Sequence, residues 1–385
     1  MVLSRRQWLQ AAGTVPALLA GWPRPSRAAR VPDRQPLPVA GVVTVYTRNS
    51  HADVLLGKIL EGFRQNGGPG PDLRLVSLYT DQVPSNDLSR SLAERHGFRL
   101  ARSIDEAVTL GSDRVQVAGV LSIGEHGNYP STPRTKQRMY PRRRFFDGIV
   151  KALRRGGKMV PVFNDKHLGY RWQDARHMVR TAQAGGFPLM AGSSLPVAWR
   201  VPPLDLPLDC EIEAALAVGY GGLESYGFHA LEMLQCLVER RRGGEAGVDR
   251  VQAVSGADRI RQAEQEGRWS RELLHAALDT MPQVPAERRD ALLDEKATLY
   301  LLDYRDGLKA AVAMANGLAR HFAVALKLKG RAEPLATWFQ LEEEPPYGHF
   351  AYLLKAIEHP LTHIIGHPTG RLINRREGIA PAMDE

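Results

Sequence analysis

The alternation of strand-like and helix-like segments is the feature of this sequence that most constrains its fold. Between residues 38 and 196, runs rich in β-branched and aromatic residues, such as 42–46 and 115–123, alternate with helical segments of about 8–12 residues. Parallel strands need a helix-length crossover between them, and crossovers cover both faces of a sheet. We therefore predict an α/β domain with a doubly wound parallel sheet over residues 38–196.

The pattern changes from residue 197 onwards. Strand-like segments follow one another directly, joined by turns such as Arg305-Asp306-Gly307, and helical segments are fewer. This order predicts an α+β domain over residues 197–385, with an open, mainly antiparallel sheet and helices on one face. The expected strands are 211–220, 248–255, 297–304, 309–316, 321–328 and 334–341, and the expected helices are 225–241, 271–280 and 349–358. A total of 385 residues with 43% hydrophobic residues is enough for two cores and excludes a disordered chain.

The N-terminus has the pattern of an export signal. Ser4-Arg5-Arg6-Gln7-Trp8-Leu9 precedes a weakly hydrophobic run, and Ser26-Arg27-Ala28 is an acceptable cleavage site. This order resembles a bacterial twin-arginine signal peptide. We expect residues 1–28 to be a leader read by the twin-arginine export machinery, residues 29–37 to be a linker, and the mature protein to be periplasmic. The apolar run is too short and too broken to span a bilayer, and we expect no membrane span elsewhere.

The positive charge of the chain is concentrated in two places. The net charge is +9, but the leader contributes four arginines and no acid, which leaves +5. Six more cations and no acid lie within residues 130–144. No basic stripe covers a longer surface, so we expect no nucleic-acid partner. The 130–144 segment reads as a solvated loop, with an anion clamp or an arm on a neighbouring subunit as alternatives.

Cysteine usage gives little information about function. The chain has only Cys210 and Cys236, which could pair in an oxidising compartment, although a buried thiol is commoner for a helical cysteine such as Cys236. No cysteine and histidine cluster has zinc-like spacing, so we expect no structural zinc.

Polar residues follow the strands of the first domain at the places where each strand is expected to end. In sheets of this kind, ligands bind beyond the carboxyl ends of the strands, where the strand order reverses. The polar residues at these ends are Asn49, Ser50, His51, Asp81, Glu125, His126, Asp165 and Lys166. Some of them have the side chains of metal ligands, but they come from separate loops without diagnostic spacing, so we expect no metal.

Three segments in order resemble a known family. Along the chain they are the αβ units from Ala93 to His126, the run Gly157-Lys158 to Asp165-Lys166, and the run Gly221-Gly222 to Gly227 and His229. Together they resemble the glucose-fructose oxidoreductase and inositol dehydrogenase (Gfo/Idh/MocA) family. The resemblance implies a Rossmann-like domain, a second sheet domain that holds a sugar or polyol, and hydride transfer to NAD or NADP.

The resemblance also implies roles for individual residues. Lys166 matches the family's catalytic lysine and His229 its catalytic histidine, while Asp165 stands where the motif has glutamate. Such groups can take the proton of a hydroxyl whose carbon gives up a hydride. The expected cofactor contacts are Asn49, Ser50, His51, Asp81, Glu125 and His126.

Two departures from the family pattern leave the function open. The turn after the first strand, residues 47–53, has no glycine, although a cofactor pyrophosphate needs close backbone approach there. Ser225 stands where the family has a catalytic aspartate. The alternatives to an oxidoreductase are therefore a nicotinamide-independent lyase or hydrolase on a carbohydrate, with or without a metal, and a non-catalytic glycan-binding protein. A homo-oligomer through an exposed face of the C-terminal sheet also stays open.

Overall fold

The computed structural model describes residues 35–281, 284, 285, 288–290 and 297–341. The predicted leader and the predicted helix 349–358 lie outside the described residues. Within the described part of the chain, no helix is long and apolar enough to cross a membrane.

The first domain contains six parallel strands with helices between them. The strand order is β3-β2-β1-β4-β5-β6. The strands are β1 (Leu37–Val43), β2 (Leu73–Thr80), β3 (Arg99–Ala101), β4 (Gly119–Ile123), β5 (Val162–Asp165) and β6 (Leu189–Gly192). The helices are α1 (His51–Glu61), α2 (Ser89–His96), α3 (Ile104–Thr109), α4 (Arg142–Arg155) and α5 (Trp172–Ala184).

Alternate residues of the central strand β1 pack on opposite faces of this sheet. Val42 belongs to the core formed with Phe145 and Ile149 of α4, whereas Val43 belongs to the core formed with Leu55 of α1. Side chains of a strand alternate in direction, so a strand buried on both faces needs apolar residues throughout. This arrangement confirms the predicted Rossmann-like sheet.

The order of the strands reverses at β1, because β2 lies on one side of it and β4 on the other. The turns after β1 and β4 therefore leave the sheet in opposite directions and open a crevice between them. The loop after β5 reaches the same edge, since β5 pairs with β4.

The second domain contains a seven-stranded mixed sheet in the order β7-β13-β12-β8-β11-β10-β9. Only the β8 and β11 pair is parallel. The strands are β7 (Trp199–Val201), β8 (Ile212–Gly219), β9 (Val248–Ser255), β10 (Thr298–Tyr304), β11 (Lys309–Met314), β12 (Phe322–Leu328) and β13 (Leu335–Gln340). The helices are α6 (Phe228–Val238), α7 (Ala257–Gln265) and α8 (Arg271–Asp279). The predicted fold class is therefore confirmed: a Rossmann-like first domain is followed by a domain with a mainly antiparallel sheet.

The placement of helices on this second sheet differs from our prediction. Ala217 of β8 packs in a core with Met233 of α6, whereas the adjacent Leu216 packs in a core with Leu273 of α8. Helices thus cover both faces rather than one, because the polar stretch after Ser255 carries two amphipathic helices. The middle of the sheet is thus covered on both faces, whereas the edge strands β7 and β9 keep exposed residues such as Trp199 and Val251, and the homo-oligomer stays a prediction.

Cys210 and Cys236 are not joined by a disulfide. Cys236 is a buried thiol on α6 that donates to the Met233 carbonyl oxygen at 3.1 Å. It therefore behaves as a small core residue.

Candidate active site

A buried carboxylate lies at the end of β4. Glu125 accepts a hydrogen bond from the guanidinium of Arg142, which is fully buried at the start of α4. Lys166 Nζ lies 3.7 Å from Glu125 Oε1. A Cβ on Gly124 would lie 2.7 Å from Cγ of Arg142, so glycine at this position allows the Arg142 side chain to cross the strand end.

Two cations keep this carboxylate charged. Burial by itself would raise the pKa of Glu125, but the charges of Lys166 and Arg142 outweigh it and hold that pKa below its usual range. The site therefore contains a permanent carboxylate between an ammonium and a guanidinium.

Lys166 is fixed by the backbone just after β5. It has a left-handed conformation with φ of 59°, and its carbonyl oxygen accepts from Gly192 N at 2.9 Å at the end of β6. Non-glycine residues rarely adopt this conformation without a local constraint. The Lys166 side chain is 14% exposed, so its ammonium reaches the crevice.

His51 connects the first turn to β5. Its Nδ1 lies 2.7 Å from Oδ2 of Asp165, whose side chain is only 2% exposed. The ring of His126 lies 5.2 Å from the His51 ring. His126 is exposed on its outer side, but loss of surrounding water and the nearby His51 lower the pKa of His126 to about 4.

His229 reaches the crevice from the second domain, at the start of α6. Its Nδ1 lies 2.5 Å from Ser193 Oγ, just after β6. Burial, with Lys166 and His51 nearby, lowers the pKa of His229 well below its usual range. The Ser193 N–H points to the Glu232 carboxylate at 3.4 Å, so the loop after β6 has two contacts with α6.

His167 completes the cluster beside Arg142. Its Nε2 lies 3.0 Å from an Arg142 guanidinium nitrogen and accepts from it, because guanidinium only donates. Burial and the Arg142 charge lower the pKa of His167 well below its usual range. His167 is therefore a neutral histidine within the site.

The crevice brings together six of the residues singled out from the sequence. They are His51, Glu125, His126, Asp165, Lys166 and His229. Sequence reasoning did not identify Ser193, and it did not identify Arg142, which lies in the 130–144 segment that we read as a solvated loop. An arginine at the start of a strongly amphipathic helix was the available signal for Arg142.

Asn49 and Ser50 do not reach this cluster. Ser50 caps α1 by accepting from Asp53 N at 3.3 Å, and it also accepts from Thr47 N at 3.2 Å. The Asn49 N–H donates to Asp53 Oδ2 at 2.8 Å. The backbone N–H groups of Thr47, Asn49 and Asp53 therefore donate to side chains within the turn.

Asp81 forms its hydrogen bonds with residues outside this cluster. It accepts from the hydroxyl of Tyr79 at 2.9 Å, the hydroxyl of Tyr129 at 2.7 Å and the guanidinium of Arg144 at 2.6 Å. Although burial opposes it, these three donors lower the pKa of Asp81. Asp81 thus anchors the basic segment 130–144.

The residues of the first turn do not fit a dinucleotide. A pyrophosphate binds to unpaired N–H groups at a helix N-terminus, and glycines allow its approach. Here the N–H groups of Thr47, Asn49 and Asp53 already have acceptors within the turn, and the Asp53 carboxylate in the first turn of α1 would repel a phosphate. Both oxygens of Asp81, the candidate partner of a ribose hydroxyl, are also bonded.

The basic segment is a folded arm over this edge of the sheet. Arg138 N donates to Glu224 Oε1 at 2.9 Å in the second domain, and the Arg138 guanidinium donates to the Tyr129 carbonyl oxygen at 2.7 Å. Four cations of the segment thus have protein partners, namely Arg138, Arg142, Arg143 and Arg144, whereas Arg134 and Lys136 are exposed.

A cavity of about 530 Å³ lies beside the arm, outside the crevice. Lys166 and His51 do not line it, and its arginines Arg143 and Arg171 pair with Asp174. The described residues also contain no group of three or more histidine, cysteine, aspartate or glutamate side chains placed to hold a metal.

Comparison with known proteins establishes the fold. No protein-family model matches this chain, and no curated protein matches it. Among solved structures, a probable dehydrogenase from Thermotoga maritima is similar with a TM-score of 0.50 and 12% identity, over 88% of this chain and 93% of that one.

Two further structures are similar at lower scores. The apo scyllo-inositol dehydrogenase from Lactobacillus casei gives a TM-score of 0.49 and 10% identity over 85% of this chain and 87% of that one. GenD2 from gentamicin A biosynthesis, in complex with NAD, gives a TM-score of 0.48 and 15% identity over 83% of this chain and 75% of that one. Such likenesses concern the fold only, and this chain shares the two-domain fold of the Thermotoga maritima structure.

Proposed function

We propose that this chain is an enzyme that transfers protons at the hydroxyl groups of a carbohydrate-type small molecule. The observation that carries the proposal is the cluster of Lys166, Glu125 and the His51 and Asp165 pair at the strand ends, with His229 facing it from the second domain. Glu125 and His229 have shifted pKa values, and such groups in a crevice between two domains are typical of a reaction site.

Each crevice residue can take a different role in such a reaction. The Lys166 ammonium can donate to a substrate hydroxyl and stabilise negative charge that develops on it. Glu125 holds that ammonium in place. His229, kept neutral by its surroundings, can exchange a hydrogen bond with a second hydroxyl.

Oxidation of a sugar or polyol is the first reaction to consider, because the sequence motifs resemble the Gfo/Idh/MocA dehydrogenases and the fold agrees. This reaction requires a hydride acceptor such as NAD or NADP. The bonded N–H groups and the Asp53 carboxylate of the first turn do not fit the pyrophosphate of either.

A nicotinamide-independent lyase or hydrolase is the second candidate. The specific observation in its favour is the first turn, where His51 and Asp53 stand instead of glycines. Elimination or hydrolysis uses the same acid and base groups and needs no hydride acceptor.

The experiment is a search for turnover with the mature chain. Sugars, polyols and glycosides are incubated with the protein, with and without NAD or NADP, and followed by proton NMR. Lys166→Met and His229→Gln should each lower turnover by about 100-fold or more, as expected for groups that form hydrogen bonds to the reacting hydroxyls. Lys158→Met, which removes an exposed lysine, is the matched control and should keep full activity. Turnover that survives both site substitutions would contradict the proposal.

We also propose that the enzyme works in the periplasm after export by the twin-arginine machinery. The support is the Arg5-Arg6 pair and the Ser26-Arg27-Ala28 site of the sequence. Cell fractionation of the full chain and of an Arg5→Lys, Arg6→Lys variant tests this. The wild type should be processed and periplasmic, and an unprocessed wild type in the cytoplasm would contradict it.

A further inference from the structure

The contact between His51 and Asp165 joins two strands that are not neighbours. His51 begins α1 just after β1, and Asp165 ends β5, with β4 between these strands. The Asp165 side chain is 2% exposed, whereas His51 keeps 17% of its surface exposed. A buried carboxylate thus holds an imidazole that still reaches the crevice.

We infer that this pair is a proton-transferring dyad, in which His51, oriented by Asp165, takes the proton of a substrate hydroxyl. His51 does so from the turn that holds a cofactor phosphate in dinucleotide-binding sheets of this type. The inference rests on the proposed function and names the base of that same site.

His51 and His229 differ in the side chain that contacts Nδ1 of the imidazole. A carboxylate that accepts from Nδ1 keeps the ring proton there, makes Nε2 the accepting nitrogen and stabilises the imidazolium that forms. Nδ1 of His229 instead contacts the hydroxyl of Ser193, a neutral group that cannot balance a positive ring. His51 is therefore the better proton acceptor of the two.

The positive charge of Lys166 favours the removal of a proton from the substrate hydroxyl. Lys166 follows Asp165 in the chain, and its ammonium reaches the crevice beside Glu125. When Nε2 of His51 accepts the proton, the hydroxyl becomes an alkoxide and the ring becomes an imidazolium. The Lys166 charge stabilises the alkoxide, and the step is a proton transfer alone, in which the substrate keeps all of its electrons.

A second His and Asp contact in the chain provides a matched control. His177 Nε2 lies 3.1 Å from Asp147 Oδ1, and both side chains are more than 40% exposed. Neither residue contacts the crevice histidines, because the other partner of Asp147 is Arg143. A substitution at Asp147 changes a carboxylate beside a histidine without touching His51.

The test measures the reactivity of individual histidines toward diethyl pyrocarbonate, which acylates an unprotonated imidazole nitrogen. Modified sites in the mature chain are quantified by peptide mass spectrometry at neutral pH. A dyad predicts that His51 reacts about tenfold faster than His229. Asp165→Asn should slow His51 about tenfold, because an amide can donate to Nδ1 and move the ring proton to Nε2. Asp147→Asn should leave the His51 rate unchanged.

The outcomes separate a dyad from a structural contact. An unreactive His51, or a rate that Asp165→Asn does not change, overturns the inference. If Asp165→Asn fails to fold by circular dichroism, the ranking of His51 and His229 in the wild type decides alone. A reactive His51 in a protein that turns over no sugar, polyol or glycoside would support the dyad while overturning the proposed substrate class.

Discussion

The guanidinium of Arg142 forms a buried ion pair with the carboxylate of Glu125 at the end of β4. The same guanidinium also donates to His167, and it lies 5.1 Å from the centre of the Tyr140 ring. Arg142 thus joins the start of α4 to the loops after β4 and β5. Because Glu125 also faces Lys166, this pair positions the ammonium that we place at the substrate.

Replacing Arg142 with methionine should destabilise the fold strongly. Removal of one partner of a buried ion pair leaves an uncompensated charge and costs about 3–5 kcal/mol. Urea denaturation gives the free energy of unfolding. Arg144→Met is the matched control, because the Arg144 side chain is 55% exposed and its pair with Asp81 should contribute at most about 1 kcal/mol. Equal losses in the two variants would show that the Arg142 pair does not hold the site together.

Lowering the pH should destabilise the protein before its carboxylates are protonated. The pKa values of His167 and His229 are lowered in the folded state, so the unfolded chain binds more protons below about pH 6.5. Stability is therefore complete above that pH and falls as the pH decreases, by about 1.4 kcal/mol per pH unit for each such histidine.

Urea denaturation at several values between pH 7 and pH 5 checks this slope. His229→Gln should make the slope shallower by about one proton, whereas His177→Gln, which removes an exposed histidine, should not change it. A free energy of unfolding that is independent of pH in this range would contradict the buried, neutral state of His167 and His229.

Replacing Ser193 with alanine should weaken the contact between the two domains. The Ser193 hydroxyl contacts His229 Nδ1 and accepts from Leu195 N at 3.0 Å, so its loss leaves polar groups without a partner at a cost of about 1–3 kcal/mol. Thermal unfolding measures the loss. Ser194→Ala removes an adjacent buried hydroxyl as a control, and a loss of equal size there would mean that the contact with His229 contributes nothing.

The sequence predicted the folds of both domains because each rests on a local pattern. The strand runs of the first domain are buried on both faces, and the position of Lys166 after β5 follows from strand alternation alone. The rule that ligands bind where strand order reverses brought Glu125 and Lys166 to the correct edge.

The partners within the site could not be predicted in the same way. His51 and Asp165 are 114 residues apart, and Arg142 lies 17 residues after the carboxylate that neutralises it. A run of six cations without an acid favours a solvated loop, and only the folded chain shows that Arg142 is buried. The helix at 271–280 was predicted, but the face of the C-terminal sheet on which it packs was not, because that face is set by contacts between segments distant in sequence.

A titration of the mature chain with NADH and NADPH, followed by nicotinamide fluorescence, is the most direct test of this account. Its central claim is that the edge of the first sheet holds acid and base side chains rather than a dinucleotide. The turn closed by Ser50 and Asp53, with His51 bonded to Asp165, predicts no saturable binding of either nucleotide at millimolar concentration. Saturable binding of one nucleotide per chain, or nicotinamide released from the purified protein on denaturation, would contradict it.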